Sequence, residues 1–305
     1  MPAPRSPRPR VAPELAPGAA QVPSALWREY FLYSAEFTGA KQLVAGTLNG
    51  APTVQVFDDF IIKVDSDSDF EFLKTSYVAT DARVWVRYFD DSSGRKHQRG
   101  TMDLRAVGSQ GFTAGQPAGT QGLIPFIWPQ PYLIAASSTW SISGADFSGG
   151  ANTVRISYHG NKVRPGQPPW KVNPLTGQPR QYRQRLPYVY ALPPDGTSFN
   201  IAANQTVPIA TPIDMEADFL VTRLTGVATA PTQAQIYLQD ASGRERAWMD
   251  RSVNFSCLVG NGTFPNIFPS PRWLPRGSGI TGFFQDTSGA QNTIRLYLIG
   301  YKLYE

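Results

Sequence analysis

An all-β fold divided into two similar bodies is what this sequence predicts, and three observations carry the prediction. Charged residues make up only 17% and aromatics 12% of the chain, with 27 Gly and 27 Pro. Val, Ile, Thr, Tyr and Phe punctuated by Gly, Pro, Asn and Asp favour many short strands over long helices. The stretch Asn152-Thr153-Val154-Arg155-Ile156-Ser157-Tyr158-His159-Gly160-Asn161-Lys162-Val163 recurs, 140 residues on, as Asn292-Thr293-Ile294-Arg295-Leu296-Tyr297-Leu298-Ile299-Gly300-Tyr301-Lys302-Leu303. Asn, Thr, Arg, Gly and Lys are identical in the two copies, and the apolar positions keep the period-two pattern of a strand. No helix-period pattern persists beyond about ten residues. At 305 residues the chain is long enough for two bodies, each able to bury its own core.

In chain order, residues 1–25 hold seven prolines among Ala and Arg. Each proline fixes φ and removes a donor, so this segment predicts an extended arm rather than a helix or central strand. The first β-sandwich is expected over 26–163, opening on Tyr30-Phe31-Leu32-Tyr33, and the second over 187–305, opening on Tyr188-Val189-Tyr190. Val54-Gln55-Val56-Phe57 and Phe60-Ile61-Ile62-Lys63-Val64 have the length of sheet strands.

A second repeated block follows. Asp69-Phe70 precedes Val78-Ala79-Thr80 as Asp218-Phe219 precedes Val227-Ala228-Thr229, an offset of 149. The same offset pairs Asp91-Ser92-Ser93-Gly94-Arg95 with Asp240-Ala241-Ser242-Gly243-Arg244, and it sets Trp85 against Ala234. Gly supplies φ > 0 and Asp and Ser bond turn backbone, so each is a hairpin signal. The fall from 149 to 140 places nine extra residues of body one in a Gly-rich surface loop near 108–122. Pro129 and Pro131 match Pro269 and Pro271, and Ser148-Gly149 matches Ser288-Gly289 before the closing strand. Antiparallel strands on short turns, without helical crossovers, predict a jelly-roll-like sandwich of about 7–8 strands per body. Residues 164–186, with five prolines, predict an extended basic linker between the two.

Charge is unevenly placed. Residues 1–23 and 161–186 carry nine basic residues and one acid, so a net charge of +5 leaves the remainder at −3. Basic arms on mildly acidic bodies suit clasping a neighbouring subunit, with Arg5, Arg8, Arg10, Lys171, Arg180, Arg183 and Arg185 as the interface candidates. Nucleic acid is disfavoured because these residues lack interleaved aromatic strands. Cys257, alone in the sequence, cannot close an intrachain disulfide and is expected to pack as a small hydrophobe. The N-terminus lacks a signal-peptide apolar core and no run approaches a membrane span, so synthesis in a cytoplasm is expected.

Catalytic signals are sparse. Asp65, Asp67 and Asp69 alternate along the chain, and Asp214, Glu216 and Asp218 repeat the spacing. A calcium loop of the helix-loop-helix type needs Gly at its sixth and Glu at its twelfth position, where this chain has Phe70 and Ser76. The expectation is a solvated strand face, with a divalent ion as the competing use of the same acids. His97 and His159 match Arg246 and Ile299 in the second body and join no catalytic order, so both are expected to be structural surface residues. No phosphate-binding glycine loop, zinc spacing or nucleophile elbow occurs, and no cofactor is expected. Trp128 and Trp140 align with Phe268 and Ile280, so the tryptophans suggest packing over a duplicated ligand platform.

The paired Asp-Phe motifs, the Asp-x-Ser-Gly-Arg turns and the closing strands at 152–162 and 292–302 together resemble virion structural proteins of tailed bacteriophages, of the β-sandwich head-decoration or head-tail connecting (collar) type. The resemblance covers residues 57–163 and 192–305. It implies a non-enzymatic subunit that stabilises a capsid or head-tail junction through contacts with copies of itself and with capsid, portal or tail proteins, and it implies location in the virion. The alternative is a tail-associated module binding a receptor or glycan.

Overall fold

The computed structural model describes residues 25–38, 43, 58–81, 83–91, 94–96, 102–110, 126–146, 151–173, 175–194, 197–241, 246–260 and 265–305. Nearly all of the arm expected at 1–25, His97 and most of the Gly-rich excursion lie outside those residues.

Body one runs β1 (Leu26–Phe37), β2 (Asp58–Lys63), β3 (Asp69–Ala79), β4 (Val84–Asp90), β5 (Arg95–Lys96), β6 (Met102–Asp103), α1 (Leu104–Val107), β7 (Ser109–Gln110), β8 (Phe126–Ile134), β9 (Thr139–Asp146) and β10 (Val154–Pro165). Body two runs β11 (Gln184–Leu192), β12 (Phe199–Ile201), β13 (Thr206–Pro212), β14 (Asp218–Ala228), a 3-10 turn (Pro231–Gln233), β15 (Ala234–Asp240), β16 (Val253–Asn254), α2 (Phe255–Leu258), β17 (Asn266–Leu274), β18 (Gly279–Asp286) and β19 (Asn292–Tyr304).

In body one, one sheet has the order β1-β10-β3-β8 and the facing sheet β2-β9-β4 with β5 and β6. Body two repeats this as β11-β19-β14-β17 facing β13-β18-β15-β16. Most successive strands switch sheets, and the last strand is central, β10 lying between β1 and β3 and β19 between β11 and β14. That is a jelly roll, formed twice in one chain.

The repeated sequence now has physical reasons. Pairing of β3 with β10 skips Leu73, and pairing of β14 with β19 skips Thr222, so each body carries a bulge at the same place. Gly160 and Gly300 sit opposite these bulges. A Cβ there would run into the carbonyl oxygens of Glu71 and Leu220 respectively. The repeated asparagines are buried clamps. Asn152 donates to the Asp81 carbonyl (2.7 Å) and to Asp146 (2.8 Å), and accepts from the Asp81 amide (3.0 Å). Asn292 does the same with the Ala230 carbonyl, Asp286 and the Ala230 amide. Each ties the turn after the third major strand to the closing strand.

One expected register is corrected. Val84 pairs with Asp146 and Ala234 with Asp286, so this strand is offset by 150 rather than 149 and Trp85 corresponds to Gln235. The 3-10 turn in body two holds the extra residue.

The cores have diverged. Body one packs aromatics at its centre: Trp140 and Tyr158 lie 4.6 Å apart by ring centroids, with Phe72 and Tyr88 against them. At the equivalent positions body two has Ile280, Leu298, Val221 and Leu238, all buried.

The bodies do not simply follow one another. β1 sends Phe31, Tyr33, Ala35 and Phe37 into its own core, while Tyr30 and Leu32 join the core of body two. Each of the large apolar side chains among these, such as Phe31, Phe37 and Leu32, contributes about 1.5–3 kcal/mol by leaving water. The connector also departs from expectation. Between the ends of β10 and β11 it doubles back through a bridge of Val172 with Pro179, and Trp170 and Tyr182 pack on Leu220, Trp273 and Leu303. Apolar side chains in the linker gain more by covering body two than an extended strap would.

Gly300→Ala is expected to destabilise the protein by about 1–3 kcal/mol through overpacking against the β14 carbonyl, measured as a lower urea midpoint. Gly289→Ala, at a positive-φ turn with open space around it, should cost about 1–2 kcal/mol through backbone strain alone.

Candidate functional site

The alternating acids, expected on a solvated face or around a metal ion, hold a lysine. Lys162 Nζ lies 2.6 Å from Asp65 and 3.3 Å from Asp67. Lys302 Nζ lies 2.6 Å from both Asp214 and Glu216. These are the repeated lysines of the closing strands, so alternation positions two carboxylates around an ammonium that the strand delivers. Burial alone would pull the Lys302 ammonium down, yet its bonds to Asp214 and Glu216 outweigh that and raise it above the ordinary lysine range. Burial would raise Asp67, but Lys162, Ser68 and Arg164 hold it below the usual carboxylate range. The third acid of each run is held elsewhere, with Asp69 accepting the Ala136 amide (2.8 Å) and Asp218 accepting the Arg276 amide (2.9 Å) and the Tyr182 and Trp273 side chains. Among the described residues no group of three His, Cys, Asp or Glu could hold a metal.

Of the basic interface candidates, Arg5, Arg8 and Arg10 lie outside the described residues. Lys171 is exposed. Arg180 is engaged within the chain, 2.7 Å from Glu305 and 3.2 Å from Asp218. Arg185 lies over the Tyr301 ring at 3.6 Å, and Arg183 donates its backbone amide to the Tyr304 carbonyl.

The densest polar chemistry lies where the bodies meet. Arg272, on β17, is 1% exposed. It donates to the Tyr30 carbonyl (2.9 Å) and the Arg246 carbonyl (3.1 Å), and pairs with Asp240 (3.3 Å). Trp248 Nε1 donates to the other Asp240 oxygen at 2.5 Å. Glu29 of β1, also buried, has the guanidiniums of Arg164, Arg246 and Arg272 within 3.6–3.8 Å. Sequence could not reveal this set, because its members lie up to about 240 residues apart and, Asp240 excepted, belong to no repeated block.

His159 is buried at the same junction and is not the surface residue expected. The Ser76 hydroxyl, 3.0 Å from the Cys257 carbonyl, must donate to it, since a carbonyl only accepts. Ser76 therefore accepts from His159 Nε2 (2.7 Å), and His159 Nδ1 accepts from the Tyr30 hydroxyl (2.8 Å). Every polar atom of the imidazole is satisfied. Burial first, and then the Lys74 ammonium, push its pKa down to about 3. A serine and a histidine within reach of each other here form a structural relay between bodies, since both are fully buried.

Surface clefts open among the described residues, two of them of similar volume. One, of about 360 Å³, is lined by Leu26, Arg28, Asp67, Glu71, Leu133 and Pro165, and the other, of about 400 Å³, by Trp27, Pro169, Val172, Asn173 and Arg246. In the first, Arg28 clamps Glu71 through both carboxylate oxygens (2.8 and 3.1 Å), and Arg164 holds Asp67 at 2.8 Å. Burial would raise Glu71, but Arg28 and Asn161 hold it below the usual range. Asp67 and Glu71 are thus ionised and paired, so neither is a poised acid. Trp140 and Trp248 are fully buried and Trp273 nearly so, so these three rings cannot stack on a ligand.

No family model matches the sequence, and no curated protein sequence matches it. Among solved structures the chain is similar, weakly, to one described as PNGF-II in the P21 space group, at 9% identity and a TM-score of 0.18, over 90% of this chain and 65% of that chain's length. A likeness at that level carries no argument about activity.

Two measurements check these assignments. Lys302→Met is expected to lower stability by about 1.5–3 kcal/mol, the worth of charge-assisted bonds, whereas calcium or EDTA should leave the melting temperature of the native chain unchanged. For His159, the neutral form is favoured on folding. Its contribution is complete above the ordinary value of 6.5 and is lost as pH falls toward about 3. Asp250, pushed up to about 6 by burial, acts in the opposite sense below pH 6. The comparison with His159→Gln isolates the histidine: the stability gap between native and variant should shrink by about 1 kcal/mol per pH unit below 6.5, read from urea titrations at pH 7, 6 and 5.

Proposed function

We propose that this chain is a non-enzymatic structural subunit of a virion, contributing two jelly rolls to a protein shell or to the junction of head and tail. The observation that carries the reading is the doubled jelly roll itself, fused side by side through a shared strand. Jelly rolls serve widely as capsid and lectin domains. Two in one chain present two similar faces, so a few copies produce a ring or tile with many near-equivalent contacts, and three chains would offer six bodies. The buried charges described above hold the two bodies together, and the acids of the first cleft are paired. The burial of Trp140, Trp248 and Trp273 weighs against a glycan-stacking module.

Mass spectrometry of gradient-purified particles tests this. The chain is expected as a multi-copy component, and deletion of residues 1–23 should reduce its incorporation while leaving the unfolding midpoint unchanged. Recovery only in the particle-free fraction would refute the proposal.

A further inference from the structure

We propose that the outer face of the β11-β19-β14 sheet of body two is a docking surface for a second copy of this chain, which seats on it the α1-β8 edge of its own body one. This deepens the structural-subunit reading by naming a partner and the surface it meets.

One version of this contact already exists inside the molecule. Within one chain, the outer face of the β1-β10-β3 sheet of body one is covered by the α2-β17 edge of body two. Tyr30 stacks on Phe268 at 3.9 Å, Lys74 Nζ donates to the Ile267 carbonyl (2.6 Å), Ser76 donates to the Cys257 carbonyl, and Leu32 exchanges backbone bonds with Trp248 and Asp250. The repeat gives these face and edge positions counterparts in the other body. The counterpart face is Pro187, Val189, Arg223, Thr225, Val227 and Ile299; the counterpart edge is Arg105, Ala106, Ile127 and Trp128.

Exposure separates the two copies of the interface. β1 is buried continuously from Glu29 to Ala35, whereas β11 is exposed from Gln184 to Val189, through Leu186, Pro187, Tyr188 and Val189 in succession. Val189 is 50% and Val227 63% exposed. At the edge, Ser256 and Cys257 of α2 are buried, and the matching Arg105 and Ala106 of α1 are exposed. Both helices begin alike, with Asp103 and Asn254 each accepting the amide two residues on, so the difference lies in what covers them.

The chemistry is also retained. Lys74 corresponds to Arg223, which is exposed, so a cation stands ready for the Ile127 carbonyl of the second copy, while Thr225, the counterpart of Ser76, is buried at the base of the face. Tyr30, Leu32 and His159 correspond to Pro187, Val189 and Ile299, which makes the second contact drier than the one inside the chain. The connector covers only the far end of the face, around Tyr301. A face that receives a different surface from its neighbour is a heterologous contact, which builds a head-to-tail ring when the rotation closes.

The test uses the full-length chain and light scattering at tens of micromolar. The native protein is expected as a closed oligomer. A face variant, Val189→Glu with Arg223→Glu, and an edge variant, Ala106→Glu, should each be monomeric, with association at least tenfold weaker. All three positions are exposed, and unchanged circular dichroism and unfolding midpoints would establish that the variants fold. Mixing the two variants should restore a species of two chains and no larger, because one intact face then meets one intact edge. A native monomer at every concentration, an assembly indifferent to both variants, or a mixture that stays monomeric would overturn the inference. A monomeric chain that is still incorporated into particles would refute the ring and leave the structural role standing. A head-to-tail oligomer absent from particles would do the reverse.

Discussion

From Glu29 to Ala35 strand β1 is buried without a break, and the rest of the architecture depends on that. A strand on the outer edge of a jelly-roll sheet ordinarily has one wet face. Here its second face is the floor of body two, so Tyr30 and Leu32 complete a core that the second half of the chain cannot finish alone. The constraint reaches the polar groups as well. A backbone carbonyl of β1, a glutamate and a tyrosine hydroxyl are all removed from water at once, and Arg272, the arginines around Glu29 and His159 satisfy or neutralise them. Removing one member would strand the others, which is why such sets tolerate so little change.

Much of the fold was legible in the sequence, and the reason is that the repeated residues act locally or at short range within each body. Asn152 and Asn292, Gly160 and Gly300, and Lys162 and Lys302 fix a turn, accommodate a bulge and satisfy a pair of acids. Both bodies need these devices, so both retain them, and their spacing announces the duplication. The acids at 65–69 and 214–218 were visible for the same reason. Their role was not, because the partner lysine lies nearly 100 residues away and an alternating pattern looks the same around an ammonium as around a metal ion.

The junction between the bodies was invisible for the opposite reason. It is a single feature, so no second copy marks it: Glu29, His159 and Arg272 look like ordinary surface residues in sequence, and Asp240 looks like a turn residue. Burial reverses their meaning. The connector misleads on similar grounds: its prolines suggest reach, while Trp170 and Tyr182, which anchor it, have no periodic context to reveal them.

The divergence of the two cores has a consequence for how such a chain reaches its fold. Tandem copies of one barrel invite strand exchange, in which a segment from one half completes the other. With Trp140, Tyr158 and Tyr88 at the centre of one body and Ile280, Leu298 and Leu238 at the centre of the other, a closing strand inserted into the wrong barrel would leave either a void or a collision. Mismatched volume thus acts as an address, disfavouring insertion of either closing strand into the wrong half although the two strands share their repeated residues.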